Sequence, residues 1–454
     1  MGKSRRVDVL NTPIWQALIK LSVPVMLSYA SQTMYNMVDA YFLGKLGTTE
    51  FAAPTIVYHL EYIFIAIGVG FSVAGSAFVS QYIGAGDERQ AEKSAAQVIL
   101  VVSILGVFVL LFALLMVKPM INILAGKENA VVIPYAVKYF RIVLYGIVFS
   151  YLFRVISSIF RGLGDAQFAM ELTLIATLTN IVLDPVLIFG LGPLRGMGVS
   201  GAAWATTIAR FTAVFTALYI LVSGRRGFKV HLKDFIPDFA LLYKILKVSI
   251  PSSIGHLITA FGYAAVMKAV TQFGPVVVSA YGIGDRFMGF ITMFVSGLGV
   301  AVSVMFGQFV GAKRYDDAEK TVWTAILMDV VVIGSVSALT FFTGKYITMF
   351  FLDDPSVVNV GEQMFRYVSL AIPFYGAMNV FVSALSGAGK SVQATIVYVF
   401  RVWGARVPMV VFLAKFMGYT GVFVAVFLSN VVTMVVAYLF YRFTDWRKGV
   451  IHES

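Results

Sequence analysis

QYIGAGDERQAEK at residues 81–93 and QFVGAKRYDDAEK at residues 308–320 are two spellings of one segment. Gln, Gly-Ala and Ala-Glu-Lys coincide between them at a shift of 227 residues, without a gap. The same shift sets LSVP (21–24) on VSIP (248–251) and Gly47 on Gly274. Further along, RGLGD (161–165) faces SGAGK (386–390), and GVSGAA (198–203) faces GYTGVF (418–423). Chance would rarely set so many matches in one order. The chain is an internal duplication, and whatever fold one half takes, the other takes too.

What each half becomes follows from composition. Of 454 residues, 59% are hydrophobic and 13% are charged, where a soluble domain carries about 25% charged residues. Apolar runs long enough to span a bilayer recur to the end of the chain, whereas a signal peptide would give one short run at the start. A soluble enzyme is excluded. The absence of cysteine excludes disulfides, thiolate metal sites and cysteine nucleophiles. Twelve candidate spans lie near 15–44, 52–83, 94–124, 132–160, 168–191, 198–222, 241–270, 276–310, 321–351, 359–386, 392–415 and 419–441. The fold class is therefore an all-α polytopic membrane protein, six helices to each repeat. An even number per repeat makes the two copies run the same way through the membrane, as parallel repeats related by an axis along its normal. The expected boundaries are a first lobe over 1–223, a basic linker over 224–240 and a second lobe over 241–454. That linker, GRRGFKVHLKDF at 224–235, reads as a solvated loop answering to lipid headgroups.

A formal charge of +12 would suggest nucleic acid in a soluble protein, but its placement argues for topology. One set of alternate loops holds 19 Lys and Arg, among them Lys3, Arg5, Arg6, Arg89, Lys93, Arg161, the 225–247 stretch, Lys313, Arg314 and Lys390. The opposite loops hold six: Lys45, Lys118, Lys127, Arg195, Lys345 and Lys415. By the positive-inside rule both termini are cytoplasmic. No zinc spacing or aromatic-basic interleaving supports nucleic acid. The GxxxxGK[ST] phosphate loop is absent, and RGLGD and SGAGK read as tight turns, so no nucleotide partner is expected.

Polar groups at bilayer depth are costly and mark function by default. On the first span Ser28, Ser31, Gln32, Tyr35, Asn36 and Asp39 recur every three or four residues as one stripe, and on the fifth Thr173, Thr177, Asn180 and Asp184 do the same. Two carboxylates and an amide facing one pocket suit Na+, a hard ion that prefers oxygen donors. They suit H+ equally, because close carboxylates disfavour double ionisation. The hydroxyls read as helix contacts. Glu171 reads as reaching headgroups, and Glu61 as lying in either the interface or a cavity. In the second half Asp39 faces Val266 and Asp184 faces Val407, so the acidic pair is confined to the first copy. That half carries Lys268, Asp285, Arg286, Asp329, Arg401 and Arg406 instead. Either the two arginines pair with Asp285 or Asp329 in an internal network, or they form a positive cavity wall suited to anionic or zwitterionic amphiphiles. Pro24 and Pro251 stand at equivalent places and can kink their helices.

Twelve helices in two repeats, LSVP, YNMVDAYFLGKLG (35–47), RGLGD and NIVLDP (180–185) together resemble the multidrug and toxic compound extrusion family. The likeness covers nearly the whole chain and is greatest to the archaeal and bacterial branch with acids in the N-terminal lobe. It implies two six-helix lobes in a V around a central cavity, exporting drugs or other organic compounds in exchange for Na+ or H+. By that resemblance Asp39 and Asp184 match the N-lobe acids and Asn180 the companion amide, while Tyr139 and Thr206 are similar to the tyrosine and threonine lining that site. Gln32, Tyr35, Asn36, Arg401 and Arg406 are the candidate substrate-cavity residues. The expectation is a non-enzymatic, monomeric secondary transporter of the cell membrane with a small amphiphilic substrate. It needs no cofactor beyond its coupling ion, Na+ at Asp39, Asn180 and Asp184 or else H+. The competing reading is a flippase for lipid-linked or polyprenyl-linked substrates.

Overall fold

A computed structural model describes residues 6–46, 48–125 and 131–451. Lys3, Arg5, Gly47 and Lys127 lie outside them. The helices are α1 (Ile14–Gly44), α2 (Thr48–Gly84), α3 (Glu88–Ala125), α4 (Ile133–Tyr145), α5 (Ile147–Gly162), α6 (Ala166–Phe189) and α7 (Val199–Ser223) in the first repeat. The second contains α8 (Phe239–Thr271), α9 (Pro275–Gly311), α10 (Tyr315–Phe351), α11 (Pro355–Gly387), α12 (Ser391–Val399), α13 (Val407–Met417) and α14 (Tyr419–Phe443). Each predicted span falls on one helix or on one interrupted pair. Between α6 and α7 a two-residue hairpin pairs β1 (Gly190–Leu191) antiparallel with β2 (Leu194–Arg195).

Among the described residues ten helices are long and apolar enough to cross a bilayer, or eleven with α4 and α5 taken as one span bent by 45°. The remaining long helix is α1, whose polar stripe dilutes its hydropathy. The bend falls at Gly146, where the Ser150 hydroxyl donates to the Gly146 carbonyl at 2.9 Å. Polar insertion of this kind is a recognised cause of kinks. The eleventh predicted span is also interrupted. Between α12 and α13 residues Phe400–Arg406 form a π-helical segment. Pro408, in the first turn of α13, has no N–H to give to the preceding turn and its ring crowds the carbonyl four residues back. Widening the turn removes that clash.

The outer faces confirm the membrane assignment. Along α3, Ile104, Phe108, Leu111 and Leu115 are 62%, 66%, 59% and 75% exposed. An apolar stripe of this extent suits contact with lipid.

The chain divides into two compact units, one of Arg6, Pro24–Ile83 and Asp87–Ser253, the other of Val7–Val23, Gly84–Gly86 and Ile254–Ser454. The first ten residues of α1 thus go with the second unit, and the start of α8 with the first.

RGLGD and SGAGK are tight turns, with Gly164 at φ +84° and Gly389 at φ +78°. Asp165 caps α6 by accepting from Phe168 N–H at 3.0 Å and pairs with Arg226 at 2.9 Å. Arg226 also holds Glu171 at 2.5 Å, so Glu171 is tied to protein instead of reaching for headgroups. Nor is the linker a free loop. Gln97 donates to the carbonyls of Asp234 and Ile236 at 2.5 and 2.7 Å, Arg89 grips Asp234, and Lys93 pairs with Asp238 at 2.6 Å. Burial works against charge on Asp234, but hydrogen bonds from the Arg89 guanidinium and the His231 backbone outweigh it and hold its carboxyl below the ordinary range. The Lys93 hydrogen bond, with one from the Leu241 backbone, does the same for Asp238.

Candidate functional site

In the first unit α6 buries Thr173, Thr177, Asn180 and Asp184 along one face. Four-residue spacing puts Asn180 directly beside Asp184, and their neighbours supply the rest of a network. With its amide oriented to satisfy its surroundings, Asn180 donates to Asp184 Oδ2 at 2.9 Å and accepts from the Thr206 N–H at 3.1 Å and hydroxyl at 3.3 Å. Thr206, on α7, also meets the Tyr35 hydroxyl at 2.9 Å, and Ser31 donates to Thr177 at 3.1 Å. The two predicted stripes therefore face each other, with α7 joined to both.

Asp39 lies one turn beyond Tyr35. Its Oδ1 is buried and accepts no hydrogen bond. It shares an electrostatic neighbourhood with Asp184, Glu61, Tyr35 and Tyr139. Tyr139 and Thr206 are both 8% exposed. The structure thus brings together Asp39, Asn180, Asp184, Tyr139, Thr206 and Tyr35. Gln32 joins Tyr35, Thr177, Asn180 and Thr206 around a small cavity of about 90 Å³. Asn36 is exposed and takes no part in that lining. Pro24 sits inside α1, which is helical on both sides of it, and its carbonyl accepts from Ser28 at 2.8 Å.

Two residues that the sequence reading passed over line the same cavity: Arg154 on α5 and Arg210 on α7. Arg210 donates to Ser150 at 2.7 Å, and both guanidinium groups lie in the field of Glu61. Glu61 is therefore an internal group of the unit. The signal was available: both arginines stand in mid-span and belong to neither loop set. Among the described residues no three His, Asp or Glu side chains are grouped as a metal ion would require. A cation bound here would take amide, hydroxyl and water oxygens alongside carboxylate.

The second unit has a larger cavity, about 340 Å³, walled by Tyr263, Tyr281 and Tyr375 and containing Asp285, Arg401 and Arg406. Arg401 donates to the Tyr263 hydroxyl, and its Cζ lies 4.8 Å from the Tyr375 ring centroid. Arg406 donates to Ser429 at 3.1 Å and to Asn430 at 2.9 Å. These partners are neutral, so the expected pairing of either arginine with Asp285 or Asp329 is not formed. Asp329 is buried elsewhere, both carboxylate oxygens without a hydrogen-bond partner, pressed against Gly376 of α11.

A family model described as MatE matches this chain twice, over residues 24–186 and 251–412. The chain belongs to the MatE family. The second match begins at Pro251, 227 residues after the first begins at Pro24, so the duplication is the family's own repeat. Among curated MatE relatives, the probable multidrug resistance protein YoeA of Bacillus subtilis is 24% identical over 445 residues, 96% of this chain and 95% of that one. A FAD transporter of Shewanella oneidensis is 23% identical over 442 residues, 95% of each. A crystal structure titled MATE in the bent conformation superposes with a TM-score of 0.90 at 24% identity, covering 97% of both chains. The protein is a multi-pass membrane transporter of this family.

Proposed function

We propose that the chain is a secondary transporter of the cell membrane, exporting organic amphiphiles by alternating access, with Na+ or H+ bound at Asp39, Asn180 and Asp184. The observation that carries this reading is the network around Asp184. Asn180 donates to one carboxylate and is itself held by Thr206, which also meets Tyr35, while Asp39 keeps an unpartnered oxygen nearby. Asp39, Asp184 and Glu61 share this region with Arg154 and Arg210. A cation bound there favours whichever arrangement brings α1, α6 and α7 together, and a ligand shifts the equilibrium only by its differential affinity for the two states. The driving force is adequate, at about 2.3 kcal/mol per charge per 100 mV plus the concentration gradient. Both termini lie on the side of the basic loops, which the positive-inside rule reads as cytoplasmic.

The test is dye efflux from proteoliposomes with Na+ and pH gradients imposed separately. Asp39→Asn and Asp184→Asn should each abolish the gradient-driven component. Full gradient-driven efflux in both variants would discard the coupling mechanism. Lipid scrambling without dye efflux would favour the flippase reading instead. Relatives are named for multidrug resistance and for FAD transport, so family membership leaves the cargo open.

A further inference from the structure

The cavity of the second unit bears on the cargo. Arg401 and Arg406 are five residues apart. In an α-helix, at about 100° per residue, their side chains would point about 140° away from each other. In a π-helix, whose bonds run from i to i+5, five residues make little more than one turn. The π segment Phe400–Arg406 therefore turns both guanidinium groups into one cavity. Such segments are rare and concentrate at functional sites.

The two cations are not neutralised. Among the described residues neither makes an ion pair within 4 Å, and Arg401, 5% exposed, keeps a buried Nε with no acceptor. A charge held in a protein interior at bilayer depth is costly unless paired. Asp285 is the acid that shares the cavity, so two guanidinium groups face one carboxylate and the balance stays positive. The walls are Tyr263, Tyr281 and Tyr375, which offer ring faces and hydroxyl donors. A cavity of about 340 Å³ is at the small end of organic ligand sites. A cationic ligand would meet repulsion, and Arg401 already occupies the face of Tyr375.

We propose that this cavity binds organic anions. A carboxylate, sulfonate or phosphate head takes the unused donors of Arg401 and Arg406, and an aromatic body lies against Tyr263, Tyr281 and Tyr375. The inference names the cargo class of the transporter proposed above and rests on that reading for its role in export, but binding can be measured without transport.

The experiment uses the purified chain in phosphatidylcholine nanodiscs with two probes of one ring system and opposite charge, fluorescein and rhodamine 123, read by fluorescence anisotropy. Fluorescein should bind more tightly than rhodamine 123. Arg401→Gln and Arg406→Gln should each weaken fluorescein about tenfold or more, as expected for losing a charge-assisted contact, and Arg401→Lys should recover part of the loss. Met288→Glu places an acid in the wall without touching either arginine. It should abolish the preference, because the added acid brings the balance to zero, and it reads the site even if the arginine variants fail to fold. Asp184→Asn should lose driven export yet keep fluorescein affinity, so a failed coupling mechanism is distinguishable from a failed anion site. Rhodamine 123 binding more tightly than fluorescein would overturn the proposal, as would fluorescein affinity unchanged in the arginine and Met288→Glu variants. Adding phosphatidylglycerol separates two sources of the same chemistry. Competition with fluorescein assigns the site to lipid headgroups, and indifference assigns it to a soluble anion.

Discussion

Asp184 is fully buried and receives the Asn180 amide, so the worth of that amide can be measured. Asn180→Ala leaves the carboxylate without this donor, at a cost of about 1–3 kcal/mol. The thermal midpoint in detergent should fall accordingly, whereas Tyr35→Phe, which removes one hydroxyl from Thr206, should cost about 1 kcal/mol. An unchanged midpoint for Asn180→Ala would show that water replaces the amide. The acids and the amide were readable in the sequence because a charge in an apolar run stands out and a period of three to four puts its companions on one face. Arg154 and Arg210 stood out in the same way. What they do was not readable, since Ser150 lies 60 residues from Arg210 in the chain and Glu61 lies on another helix. Reading each helix alone finds a stripe, not what the stripe faces. The same limit explains Arg401 and Arg406: their placement in a membrane span was evident, but neutral partners on α8 and α14 were not.

At the scale of elements, the π segment and the linker depart from plain spans, as the bend between α4 and α5 does. Pro408→Ala restores a backbone N–H and removes the ring from the preceding turn. The helix should then relax toward an α register, gaining thermal stability while fluorescein affinity falls severalfold as the guanidinium groups diverge. Unchanged affinity would mean that the proline does not set their orientation. A period of 3.6 residues cannot reveal such a segment, because the apolar pattern continues through it. The linker was legible as basic but not as fastened, since Arg89, Lys93 and Gln97 lie more than 130 residues before their partners. Asp234→Asn should speed tryptic cleavage at Lys229 and Lys233 at neutral pH. The carboxyls of Asp234 and Asp238 are depressed in the folded chain, so their stabilisation is fully present above the ordinary value near about 4 and is lost as pH falls below it. Hydrogen-exchange protection across 224–240, taken relative to the intrinsic rate at each pH, should therefore fall on acidification through that range, and the Asp234→Asn chain should show a smaller fall.

At the scale of the molecule, the twelve spans and the duplication were readable before any coordinates, because spans are set by bilayer thickness and the repeat by plain identity of residues. Orientation is open to direct measurement. With no native cysteine in the chain, a single cysteine at Lys229 should react with an impermeant maleimide only from the cytoplasmic side, and one at Lys345 only from the outside. The reverse pattern would invert the topology. Less readable was the way the two units share helices, the start of α1 going with the second and the start of α8 with the first. That sharing has a consequence for biogenesis. When the ribosome has finished the first repeat at Ser223, the first unit still lacks the stretch of α8 that ends at Ser253. Its assembly must wait for a helix of the next repeat to enter the membrane. The opening residues of α1, already inserted, stay without their own unit until nearly the whole chain has been made.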